Sequence, residues 1–134
     1  MSLDRKVRLL SQHPLLSNAG QTTLRNLARK ASFREIASGE VAIHRNEDVD
    51  GLYVVAHGRF ESTAPGNDDG DRVVNEYSRN GSFGDVALIT EAPSTVQIKA
   101  VVDSLVLKLT RTAVIEEIHE NPSFNDMINT QVST

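Results

Sequence analysis

One stretch of the chain brings together residues whose types and spacing could hold a ligand. From Asn80 it reads Gly81, Ser82, Phe83, Gly84, Asp85, then an apolar run Val86, Ala87, Leu88, Ile89, and beyond Pro93 it continues Ser94, Thr95, Val96. Glycines on either side of an aromatic, ahead of about one turn of apolar residues, spell a turn feeding a short helix. A helix that short is marginal alone. Its first N–H groups are unpaired and carry the positive end of the peptide dipoles, which suits an anion. Asp85 at the helix entrance can cap it or accept a hydrogen bond from a ligand hydroxyl. The backbone N–H groups of residues 84–87 and of Thr95, with the hydroxyls of Ser94 and Thr95, complete a set of donors. This is binding chemistry. No catalytic residue is expected, because His13, His44, His57 and His119 are scattered without H-x-H spacing, and neither a G-x-S-x-G elbow nor a loop ending in G-K-[ST] occurs. No enzyme activity, metal or cofactor is therefore expected, and surface or turn positions are the default for the histidines.

The elements that must position this stretch follow from the hydrophobic period. Asp4 to Leu10 reads as a helix with Asp4 as N-cap, and His13-Pro14 interrupts it. A second helix is expected from Ser17 or Asn18 to about Lys30, with Leu24, Leu27, Ala28 and Ala31 on one face and Leu15-Leu16 anchoring the connection. From Phe33 the period changes to two. Short strands are expected at 33–36, 41–44, 52–56 and 59–62, separated by turns at Ser38-Gly39-Glu40, Asn46–Gly51 and His57-Gly58. The segment Ala64–Asp71 is acidic and rich in breakers. Its aspartates invite comparison with a calcium loop, but a glutamate at the twelfth position is absent, so a hairpin tip between Phe60 and Val73 is expected. Strands follow at 73–77, at Val96, Ile98 and Ala100 with Lys99 on the opposite face, and at 105–109 with Leu105, Leu107 and Leu109 aligned. A helix capped by Thr110 or Thr112 should run to His119, with Val114, Ile115 and Ile118 inward and Glu116-Glu117 outward. Pro122 should open a last helix carrying Phe124, Met127 and Ile128.

The string Phe83 to Ile89, followed by Pro93, resembles the phosphate-binding cassette of cyclic nucleotide-binding domains. That cassette usually reads F-G-E-hydrophobic-A-L-hydrophobic, a short gap, then P-R-[AT]-A-[TSV]. The resemblance extends upstream, where Gly39, Glu40, Ile43, Asp50, Tyr53-Val54-Val55 and Gly58 match the family's first half. It implies a mainly β fold with flanking helices, a double-stranded β-helix (jelly-roll) barrel with N-terminal helices and two C-terminal helices. The implied division is helices at 4–31, the β-roll with its cassette at 33–109 and C-terminal helices at 112–131, all one domain of 134 residues. Asn46 and Asn80 stand where the family has glycines, and asparagine is the side chain best suited to a left-handed backbone.

By the same resemblance the ligand would be cAMP or cGMP, held by Phe83, Gly84, Asp85, Val86, Ala87, Ser94, Thr95 and Val96. The closing helices would follow the cassette as it draws inward, the last one acting as a lid. Two positions depart from the pattern. Asp85 replaces the glutamate that holds the ribose 2′-OH, and Ser94 replaces the arginine that pairs with the cyclic phosphate. Hydrogen bonds to charged groups contribute about 1.5–3 kcal/mol, so loss of the arginine should cost roughly ten- to a hundred-fold in affinity.

Composition narrows the classes of function. A formal net charge of −4 argues against nucleic acid as a partner, and 39% hydrophobic content fits a globular chain. No apolar run approaches the roughly 18 residues of a membrane helix. The chain contains no cysteine, hence no disulfide framework or thiolate chemistry, which fits a cytoplasmic location. The opening Met1-Ser2-Leu3 lacks the features of a signal peptide. Two readings stand. One is a regulatory domain that senses a cyclic nucleotide and relays it through the C-terminal helices to an effector domain or partner. The other is a degenerate domain that keeps the fold as a protein-interaction or structural module of a larger protein.

Overall fold

The computed structural model describes residues 3–66, 70–85 and 92–124. Two N-terminal helices, α1 (Leu3–Ser11) and α2 (Gln21–Lys30), precede eight strands: β1 (Ser32–Ile36), β2 (Val41–Ile43), β3 (Gly51–His57), β4 (Phe60–Pro65), β5 (Asp71–Tyr77), β6 (Ser82–Phe83), β7 (Gln97–Ala100) and β8 (Ser104–Thr110). Helix α3 (Arg111–Glu120) follows directly. The strands form two four-stranded antiparallel sheets, ordered β1-β8-β3-β6 and β2-β7-β4-β5. The expected mainly β architecture with flanking helices is present. Residues 122–124 are helical, and the rest of the expected last helix lies outside the described residues.

The run Leu52 to Ala56 is almost wholly apolar because both faces of β3 are covered. Leu52, Val54 and Ala56 point toward the helices, together with Leu107 and Leu109 of β8 and Leu10, Leu24, Leu27 and Val114. Tyr53 and Val55 point the other way, into a second cluster between the sheets with Ile43, Phe60, Phe83, Ile98 and Val106. Strands β3 and β8 are thus a wall shared by two cores. Alternation along β8 sorts its leucines to the helix side and Val106 to the inter-sheet side, as the sequence period requires.

Asn46 and Asn80 both adopt left-handed backbone, with φ of 70° and 68°. Strands β4 and β5 form the expected hairpin, closed where the Gly66 N–H donates to the Gly70 carbonyl at 3.0 Å. Residues 67–69 at its tip lie outside the described residues. Among the described residues no group of three or more His, Asp or Glu side chains is arranged to hold a metal, and no helix is long and apolar enough to cross a membrane.

Two expectations need correction. Helix α2 starts at Gln21 rather than at Ser17 or Asn18, because Gly20 takes extended backbone (φ −65°, ψ 160°) as its N-cap. The preceding residues turn instead around the His13 carbonyl, which accepts from the N–H groups of Leu16 and Ser17 at 3.0 and 2.9 Å. In α3, capped by the Thr110 hydroxyl accepting from the Ala113 N–H, the inward face is Ala113, Val114 and Glu117. Ile115 is exposed and Glu117 is fully buried.

Candidate ligand-binding site

The site is assembled from two segments that β3 and the loop after β2 hold in place. On one side, β6 pairs with β3 through Tyr53 opposite Phe83. The turn before it is docked by Asn80 N–H on the Val55 carbonyl (2.9 Å) and Val55 N–H on the Gly81 carbonyl (2.8 Å). Phe83, 3% exposed, sits amid Tyr53, Phe60 and Tyr77 with ring centroids 5.0, 5.0 and 5.3 Å away. Offset aromatic packing of this kind fixes a ring more tightly than area burial alone. Gly84 then turns the chain with φ 82°, and a Cβ there would lie 2.4 Å from the Gly51 carbonyl oxygen. Only glycine meets both demands.

On the other side, residues 92–94 zip onto the loop after β2. Ser94 N–H donates to the Glu47 carbonyl and Asn46 N–H to the Ser94 carbonyl, both at 2.8 Å, and Val49 N–H reaches the Ala92 carbonyl at 3.3 Å. The Ser94 hydroxyl donates to the Val96 carbonyl at 2.6 Å and accepts from the Val96 N–H at 3.2 Å. The hydroxyl expected to donate to a ligand here donates instead two residues along the chain. A serine before an extended strand makes such a local turn readily.

Between the two segments lies a cavity of about 550 Å³. Its lining includes Phe83, Gly84, Asp85, Ser94, Thr95 and Val96; the other two expected site residues, Val86 and Ala87, lie outside the described residues. Asn75 and Tyr77 of β5 also reach it. Sequence reasoning placed them on a strand of the expected hairpin but did not assign them to the site, because the pattern does not show that this hairpin borders the cavity. The volume is in the range of small-molecule sites.

Asp85 carries the only charge among the described lining residues. Its side chain is half exposed, and its Oδ2 lies 3.1 Å from Nε2 of His13. His13 lies in the turn between α1 and α2, as expected of a turn histidine, but is only 2% exposed. Its Nδ1 accepts the Leu15 N–H at 3.0 Å, so the ring proton of the neutral form sits on Nε2, facing Asp85. That contact is within ion-pair distance but off the line of a hydrogen bond.

The sequence pattern of the cyclic nucleotide-binding domain matches residues 33–121, about two-thirds of the chain and all eight strands but the first residue of β1. The chain belongs to the cyclic nucleotide-binding domain family. The cAMP-dependent protein kinase regulatory subunit of Blastocladiella emersonii is 31% identical over 97 residues, covering 72% of this chain and 24% of that protein. The cyclic nucleotide-binding domain here thus spans about a quarter of that relative's length. Among solved structures, the N-terminal domain of a transcriptional regulator from Streptomyces coelicolor A3(2) superposes with a TM-score of 0.86 at 19% identity, over 93% of this chain and 89% of that one. The regulatory subunit of a cAMP-independent protein kinase A from Trypanosoma cruzi, bound to guanosine, superposes with a TM-score of 0.74 at 20% identity, over 98% of this chain and 50% of that one. These likenesses establish the jelly-roll fold of the family.

Proposed function

We propose that this cyclic nucleotide-binding domain is a regulatory ligand sensor, taking a nucleotide-type small molecule at the 83–96 cavity and relaying its occupancy through the C-terminal helices. The observation that carries this reading is that all six described cassette residues line one cavity of about 550 Å³. The family supplies cAMP and cGMP as first candidates, and the guanosine held by the Trypanosoma cruzi subunit widens them to nucleosides. The domain has no catalytic role of its own in this reading, acts in the cytoplasm, and works on an effector domain or partner protein.

A relay is supported by how the loop after β2 is shared. One end of it grips Ala92 and Ser94 at the cavity; at its other end the Asp50 carbonyl accepts the Arg111 N–H at 2.8 Å where α3 begins. The Asp50 carboxylate meets Lys108 at 3.1 Å. A ligand that moves residues 92–96 would thus pull on the first turn of α3 through one short loop.

The self-paired Ser94 hydroxyl favours a second reading, a domain that keeps the fold as an interaction module without a ligand. Amide hydrogen exchange with and without millimolar cAMP, cGMP, adenosine or guanosine separates the two. Ligand-dependent protection at 83–96 together with altered exchange in α3 supports the sensor. Unchanged exchange with all four compounds rejects it in favour of the interaction module.

A further inference from the structure

We infer that the cavity selects an uncharged ribonucleoside over a cyclic nucleotide. This rests on the reading of the 83–96 cavity as the ligand site and adds the charge class of what enters it. A cyclic phosphate carries a full negative charge, and removing it from water is costly unless a cation or several donors replace the lost hydration. Among the described residues that line the cavity there is no lysine, arginine or histidine, and the one charged side chain, Asp85, is itself negative. Residues 86–91, Val-Ala-Leu-Ile-Thr-Glu, add no cation by sequence. Arg45 and Lys108 are paired with Asp71 and Asp50, at 3.1 Å each.

Ser94, which stands at the arginine position, is also engaged. At Ser94 the amide and carbonyl are held by residues 46 and 47, and the hydroxyl by Val96, which also occupies the Val96 N–H. An anion at this wall would have to break that arrangement. Acceptors, by contrast, are available. Asp85 has Oδ2 beside His13 and a half-exposed side chain, and a carboxylate is the natural acceptor for a vicinal diol. Asn75, whose Oδ1 accepts the Glu76 N–H at 2.9 Å, keeps its side-chain NH2 for a base edge, and Tyr77 offers an aromatic face. A hydroxyl-bearing sugar with an aromatic base matches this set, and a phosphate opposes it.

Titration calorimetry of the unmodified chain with adenosine, guanosine, cAMP and cGMP tests the inference, with Ser94→Arg and 2′-deoxyadenosine as further arms. The expected result is that at least one nucleoside binds ten-fold or more tightly than its cyclic nucleotide, and that removal of the 2′-hydroxyl weakens binding about ten-fold. Ser94→Arg should raise cyclic nucleotide affinity ten-fold or more while nucleoside affinity stays within about two-fold. Should the arginine variant melt at a lower temperature and bind nothing, the comparison of the four compounds on the unmodified chain decides alone. Cyclic nucleotide binding as tight as or tighter than nucleoside binding overturns the charge preference and leaves the sensor standing. Absence of binding by all four overturns both.

Discussion

His13 and Asp85, far apart in sequence, meet with Nε2 and Oδ2 3.1 Å apart. The histidine is rooted in the turn between α1 and α2, where its Nδ1 accepts the Leu15 N–H and its carbonyl accepts two further amides. The carboxylate at the mouth of the cavity is therefore braced by the N-terminal helices, so these helices bear on the site as well as covering the sheet.

His13→Ala removes the acceptor for a part-buried amide and the brace on Asp85. Leaving such a group unsatisfied costs about 1–3 kcal/mol, and urea denaturation should register a loss of that size. His13→Gln, whose side-chain oxygen can take the Leu15 N–H, should recover part of it. A loss below about 0.5 kcal/mol for the alanine variant would show that the histidine holds nothing together.

The left-handed positions should separate by residue type. Asn80→Gly, at φ 68°, should be neutral within about 0.5 kcal/mol, whereas Asn80→Val should cost roughly 1–2 kcal/mol, the strain of a branched side chain in that region. Gly84→Ala should cost more than either, since it adds the contact with the Gly51 carbonyl oxygen to a φ of 82°. Thermal melts of the three variants give the order; equal melting temperatures for Asn80→Val and Asn80→Gly would contradict it.

Glu117 is buried with Oε1 unpartnered and no cation within ion-pair distance among the described residues, its Oε2 accepting from Asn26 and Asn121. A buried charge without a counter-charge destabilises a core. Glu117→Gln should therefore stabilise the domain, by roughly 1–3 kcal/mol in urea denaturation. A destabilised glutamine variant would mean that the negative charge is needed where it stands.

What the sequence revealed was what it encodes locally. Asn46 and Asn80 announced left-handed backbone because few other side chains tolerate it, and Val96, Ile98 and Ala100 announced an inward face because strand alternation has a fixed period of two. The cassette frame was legible for the same reason, since its glycines, aromatic and proline act on their own neighbours. What escaped was decided by contacts between distant segments. His13 looked like no more than a turn residue until α1 and α2 carried it to Asp85. Glu117 looked like a solvent residue until α2 covered it. Asn75 and Tyr77 entered the cavity only through the pairing of β5 with β4. The Ser94 hydroxyl is the exception, a local bond to Val96 that its sequence permitted but did not require.

The wall shared by the two cores also orders events during synthesis. Among the described residues strand β1 pairs only with β8, and β8 lies between β1 and β3, so the helix-side sheet has no centre until residue 110 has left the ribosome. Up to that moment β3, apolar on both faces, has an unfilled edge where β8 belongs, and the two lips of the cavity near Asp48 and Pro93 have nothing rigid to bear on. Contacts so distant in sequence form slowly, and an unpaired apolar strand is prone to aggregate. For a growing chain, the interval between the emergence of β3 and that of β8 is the hazardous one.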